Sequence, residues 1–189
     1  MSAQKSANLR KALSVMGKTL NFRNVQIHDA GFILSLRTDK EKSRYLSSVS
    51  GDLDEQRAWL ERYSKDDSQV YFIIEYQGEA IGTVRLYDPQ GSSFCWGSWI
   101  LVNSRPKHAA MESALMVYAY AVDHLGFTAA HFDVRKGNER VCQFHERFGA
   151  VRVDETEEDY FYHLDQTAIN NSRRRYRRFL EDSVKVEFL

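Results

Sequence analysis

One stretch constrains the fold more than any other. From Ser93 to Val134 an aromatic, β-rich run (Ser93–Val102) leads into a short polar loop. A long helical segment (Ala109–Leu125) follows, closed by Gly126, and then a second β-run (Ala129–Val134). Two strands joined through a helix lie parallel, because the crossover carries the chain back to its starting edge. The preceding runs, Val70–Tyr76 and Ala80–Tyr87, are separated only by Gln77-Gly78-Glu79 and read as an antiparallel hairpin. Antiparallel and parallel pairings must therefore share one sheet.

The remaining elements extend that pattern. Thr19–Gln26 reads as a first strand and Ala30–Thr38 as a helix. Asp39–Asp52 is a polar loop. Asp54–Lys65 carries Trp59, Leu60 and Tyr63 at helical spacing. Glu139–Phe148 is a helix stopped by Gly149, and Ala150–Val153 and Tyr160–Leu164 are closing strands around an acidic turn. The order β-α-α-β-β-β-α-β-α-β-β predicts an α/β (mixed α+β) domain with a mixed sheet of about six to seven strands and helices on both faces. We divide the chain into an N-terminal extension (1–18), one domain (19–165) and a basic helical tail (166–189) with Arg173, Arg174, Arg175, Arg177 and Arg178. The extension holds Lys5, Arg10, Lys11 and Lys18 and no acid. It resembles a transit peptide in composition, but a loosely docked extension is the preferred reading.

Composition narrows the function classes. Lys+Arg and Asp+Glu are 26 each among 189 residues, so no bulk charge points to nucleic acid or a membrane surface as partner. The two cysteines, Cys95 and Cys142, form no metal-ligand motif, so no metal site and a reducing cytoplasm are expected. No apolar run is long enough to span a bilayer. Aromatic residues near the tail could support a homodimer.

Chemistry concentrates in two places. The loop Arg105-Pro-Lys107-His108 precedes the helix that starts at Ala109. Unpaired N–H groups in a first helical turn favour an anion, and Ala109, Ala110 and Met111 leave the backbone approachable, so this is a pyrophosphate cradle by its chemistry. One strand later, Asn138 sits where a helix N-cap belongs, and His145 lies two turns on, sharing a face with Val141.

Together these residues resemble the GNAT acetyltransferase superfamily. The family's cofactor loop, Gln/Arg-x-x-Gly-x-Gly/Ala, is matched by Arg105 and Ala110, with His108 in place of the first glycine. Its following helix, Asn-x-x-Ala-x-x-x-Tyr then Gly-Phe, is matched by Asn138 and Gly149, with Val141 for Ala, His145 for Tyr and Ala150 for Phe. The resemblance implies a sheet that splays between Ser93–Val102 and Ala129–Val134, with acetyl-CoA held in the splay. It implies that the backbone of Ile100, Leu101 and Val102 pairs with the pantetheine. Arg105, Lys107, His108, Ala109, Ala110 and Met111 would take the pyrophosphate, and Asn138 the pantetheine arm. His145 stands where the family's Tyr gives a proton to the departing thiolate. With an ordinary pKa near 6.5, about a quarter of it would be protonated at pH 7. Asp133, on the same strand face as His131, and Glu75 are alternative general bases.

The acceptor site in this family is shaped by the segment between the first two helices. Arg37, Lys42, Arg44, Tyr45 and Trp59 give it a cationic, aromatic edge here, with Trp96 and Trp99 on the strand behind. Diphosphate and rings suit such an edge. Phe94-Cys-Trp-Gly-Ser-Trp99 and His131–Asn138 resemble members of surface-polysaccharide pathways that acetylate a nucleotide-linked amino sugar, which is the expected small-molecule acceptor. Two alternatives stay open: an Nα-acetyltransferase acting on proteins or peptides, and a non-catalytic acyl-CoA-binding or partner-docking module.

Overall fold

The computed structural model describes residues 7–189. Among the described residues nine strands form one sheet: β1 (Ala12–Met16), β2 (Leu20–Asn24), β3 (Val70–Tyr76), β4 (Glu79–Gln90), β5 (Ser93–Leu101), β6 (Ala129–Arg135), β7 (Val151–Glu155), β8 (Asp159–Leu164) and β9 (Lys185–Phe188). Their spatial order is β7-β8-β6-β5-β4-β3-β2-β1-β9. Only β5 and β6 run parallel; every other neighbour is antiparallel.

The turns follow from sequence. Gln77 and Gly78 both have positive φ (52° and 83°), which matches the right-handed twist of the β3–β4 hairpin. Asp52 caps α2 (Leu53–Ser64) by accepting from the Asp54 and Glu55 amides. Helix α1 (Ala30–Thr38) and α2 cover one face through Ile33, Leu60, Tyr63, Tyr71 and Ile73. Helices α3 (Ala109–Ala119) and α4 (Glu139–Arg147) cover the other, where Leu115, Tyr118 and Phe148 join Phe72, Phe94 and Phe132 in the larger core. The long helix expected to Leu125 is α-helical only to Ala119; Tyr120–His124 form a π-turn before Gly126.

Three expectations are corrected. The sheet has nine strands rather than six or seven. The two extra strands come from the segments read as extension and tail. Residues 12–16 are β1, with Ala12 and Val15 fully buried, so this part of the extension is core; Lys5 lies outside the described residues. The tail begins as α5 (Gln166–Arg175) but ends as β9, which pairs with β1. Helix α5 also packs on the domain, with Arg174 and Arg175 left exposed. Ile169 is fully buried, Tyr176 stacks on Phe148, and Arg173 donates to both Asp123 oxygens at 2.9 and 2.6 Å. Both cysteines are buried free thiols. No helix among the described residues is long and apolar enough to cross a membrane.

Candidate active site

The feature that positions the site is a failure of pairing. β5 and β6 meet only at Ser93–Ala129 and Phe94–Ala130, and beyond that they diverge. A cavity of about 230 Å³ fills the divergence. It is lined from both faces of the sheet. Trp96, Trp99, Phe132, Val141 and His145 come from the α3–α4 side, while Arg37, Tyr45, Arg85, Tyr87 and Asp133 come from the α1–α2 side. The opening therefore passes through the sheet, and two ligands entering from opposite faces can meet there.

β5 is shaped for this. Thr83 opposes Ile100 but Arg85 opposes Gly97, so β5 carries one extra residue, and Ser98 sits at φ 47°. Such a bulge re-aims the side chains around it. Gly82 lets β4 approach closely, since a Cβ there would lie 2.3 Å from the Ile100 carbonyl oxygen. The Val102 amide donates to Ile81. Backbone groups alternate sides along an antiparallel pair. Those of Ile100 and Val102 are therefore spent on β4, and the free edge facing the gap belongs to Trp99 and Leu101. This corrects the expectation that Ile100 and Val102 offer backbone bonds to a ligand.

His145 is 6% exposed and surrounded by rings: Phe132 at 4.2 Å, Trp96 at 5.3 Å and Phe144 at 5.7 Å between centroids. Its Nδ1 is buried without a partner. Desolvation lowers its pKa to about 3. The imidazole is neutral at pH 7, so the expected one-quarter protonation does not hold. A neutral ring has one N–H donor and one acceptor nitrogen to offer the gap.

Asp133 faces the same cavity. Asp133 is itself exposed at the rim; partial desolvation there, with Asp159 nearby, raises its carboxyl pKa, and that shift suits a proton acceptor. His131 shares its strand face but is occupied: Nδ1 lies 2.7 Å from Ser93 Oγ and Nε2 3.2 Å from Asp88. Glu75 is not at the site. It accepts from Asn21 and from Arg23, which also forks onto Asp29, and it lines neither cavity described here. A strand carboxylate two strands from the gap has no path to it, so Glu75 is a structural ion-pair residue. Asn138 caps α4 through its backbone only; its side chain makes no capping bond and lines the cavity.

Of the expected acceptor residues, Arg37, Tyr45, Trp96 and Trp99 line the gap, and Trp59 lines a side chamber continuous with it. Lys42 and Arg44 do not. Lys42 closes a local turn on Asp39 at 3.0 Å, and Arg44 lies over Tyr45. Sequence reasoning missed Arg85, Tyr87 and Tyr71. Period-two alternation places Thr83, Arg85 and Tyr87 on one face of β4, but nothing in the sequence says that the face lines a cavity.

Comparison with known proteins now bears on the site. A family model described as an acetyltransferase (GNAT) domain matches residues 19–151, more than half of the chain. The chain is a GNAT acetyltransferase. Among solved structures it is similar to apo FdhC, described as a nucleotide-linked sugar GNAT, at 39% identity and a TM-score of 0.79, covering 88% of this chain and 98% of that one. It is also similar in fold to the spermidine N-acetyltransferase from Vibrio cholerae solved with CoA and spermine, at 18% identity and a TM-score of 0.69, covering 81% and 99%. A GCN5-related N-acetyltransferase from Brucella melitensis is similar in fold at 16% identity, with a TM-score of 0.72 over 87% and 84% of the two chains. No curated protein sequence matches.

GNAT enzymes use acetyl-CoA, and the residues of this acetyltransferase fit that group. The free edge of Trp99 and Leu101 borders the gap. At the start of α3 the first bond of the helix runs from Glu112 to His108, which leaves the Ala110 and Met111 amides without a backbone acceptor. Lys107 is exposed beside them, and Arg105 holds the loop by donating to Val102 O at 3.1 Å. His108 is turned away. Its Nε2 lies 2.7 Å from Thr19 Oγ1 and 3.6 Å from Glu112, a fully buried carboxylate that also accepts from the Thr19 and Leu20 amides. Its side chain therefore ties the helix start to β2.

Proposed function

We propose that this enzyme transfers the acetyl group of acetyl-CoA to a primary amine on a nucleotide-linked amino sugar. One observation carries the reading: the gap opens toward α1 and α2 through a mouth of guanidinium and rings, with Arg37, Arg85, Tyr45 and Tyr87 around it. That lining suits phosphate and a ring-bearing acceptor, with the carboxylates Asp133 and Asp159 at the β6 side of the same gap to meet the amine. The 39% identity to a nucleotide-linked sugar GNAT over nearly all of both chains supports the same acceptor.

Trp99, Leu101, Asn138, Arg105, Lys107 and the amides of Ala110 and Met111 would hold acetyl-CoA. When bound, it supplies an acetyl group activated as a thioester. An amine attacks only as the free base. Asp133 orients it and takes the proton it loses as the C–N bond forms and the C–S bond breaks. His145 acts as a neutral hydrogen-bonding group at the reacting end of the gap. Trp96, Phe132 and Phe144 keep water from that end.

The test is CoA release with amino-sugar nucleotides, N-terminal peptides and spermidine offered in parallel. Preference for the nucleotide-linked sugar, with kcat/KM at least a hundredfold above the others, supports the reading. Preference for peptide or spermidine overturns it.

A further inference from the structure

Behind the mouth lies the side chamber, about 180 Å³, which shares Arg37, Ser47, Arg85 and Ser98 with the gap. Val49, Gln56, Trp59 and Tyr71 complete it. Its chemistry is one-sided. Arg37 donates to Ser47 O at 3.0 Å, to Ser47 Oγ at 3.1 Å and to Ser98 Oγ at 3.4 Å; Arg85 donates to Gln69 Oε1 at 3.2 Å. All these acceptors are neutral, and neither guanidinium is paired with a carboxylate among the described residues. The Nε atoms of both are buried without a partner, and so is the hydroxyl of Tyr71, which is 3% exposed.

Half-buried cations without counter-charge carry a cost, and buried donors without acceptors add to it. Two unpaired guanidiniums and three unpartnered polar atoms belong to residues of one chamber, which reads as a site built for an anion. The geometry is also fixed in advance. Register places Tyr71 directly opposite Arg85 across the β3–β4 ladder. The Arg85 guanidinium lies 4.3 Å from the Tyr87 ring centroid and 5.9 Å from that of Trp59. Stacking holds the planar fork while leaving its edge free to bind a phosphate through two hydrogen bonds.

We infer that Arg37, Arg85 and Tyr71 form an anion subsite that takes a phosphate group of the acceptor, with the amine end reaching from there into the gap. This rests on the proposed acceptor being phosphate-bearing. The subsite makes the enzyme select acceptors by charge at a position remote from the bond that forms. A polyamine meets two cations there, and an uncharged peptide terminus leaves them unpaired.

The test is calorimetric titration of the CoA-saturated enzyme with uridine 5′-diphosphate and thymidine 5′-diphosphate, CoA being present so that its own phosphate site is filled. Both Arg85→Gln and Arg37→Gln should weaken binding at least tenfold, and Tyr71→Phe severalfold. Arg57→Gln, on the exposed face of α2, should leave it unchanged. CoA affinity, measured separately, should be the same in all four variants, which shows that they are folded. No diphosphate binding by the wild type, or binding by both arginine variants as tight as by the wild type, overturns the subsite. The acceptor reading fails separately: the diphosphates would bind through Arg37 and Arg85 while amino-sugar nucleotides went unacetylated.

Discussion

Replacing His145 by Phe should make the protein more resistant to acid. The imidazole is packed among Trp96, Phe132 and Phe144, has a buried Nδ1 without a partner, and titrates near pH 3 in the fold. In the unfolded chain it titrates near 6.5. Its folded pKa is lowered, so the unfolded state binds the extra proton first, and stability falls as pH drops below about 6.5. Each pH unit below that costs about 1.4 kcal/mol until the folded pKa is reached. Between pH 7 and pH 5 this one group removes about 2 kcal/mol, or roughly 4–8 °C in Tm for a chain of this size. Phe keeps the ring contacts and removes the proton site and the orphaned nitrogen. Urea denaturation followed by tryptophan fluorescence at pH 7 and pH 5 measures the difference. The variant should be at least as stable as the wild type at pH 7, and the gap should widen by about 2 kcal/mol at pH 5. If both proteins lose the same stability between the two pH values, water reaches the ring and the neutral-histidine account is wrong.

Other outcomes follow from the same geometry. Asp133→Asn should lower kcat at least tenfold. In the wild type kcat/KM should rise with pH through a pKa above the ordinary aspartate value, because partial desolvation and the neighbouring Asp159 disfavour the carboxylate, and that limb should vanish in the variant. Glu75→Gln should leave kcat and both KM values within twofold while destabilising the fold by about 1 kcal/mol through the lost Arg23 pair, as a melting curve would show; a tenfold loss of kcat would return Glu75 to the site. Gly82→Ala must push against the Ile100 carbonyl, costing about 1–3 kcal/mol and raising the KM for acetyl-CoA, because the displaced strand carries the free edge of Trp99 and Leu101.

The local elements of this protein are written in its sequence. Hydrophobic periods, Gly78 at the hairpin, Trp59, Leu60 and Tyr63 in α2 and Gly149 after α4 gave α1, α2, α4 and the strands β3 to β8 within a few residues. The crossover from β5 to β6 required their parallel pairing, and the Arg105–Ala110 and Asn138–His145 spacing carried the family resemblance. β1 and β9 were hidden, because five and four residues are too short to show a period; β1 is a strand through its pairing with β2 and β9, and β9 through its pairing with β1. Tertiary structure alone decided the site. The gap arises where two strands stop pairing after Phe94 and Ala130, which no local pattern encodes. Burial turned His145 from a titrating group into a neutral one, and register brought Tyr71 and Arg85 side by side. Glu75 and Asp133 are both carboxylates on strands. Distance from the gap separates them, and that is a property of the assembled sheet rather than of the residues.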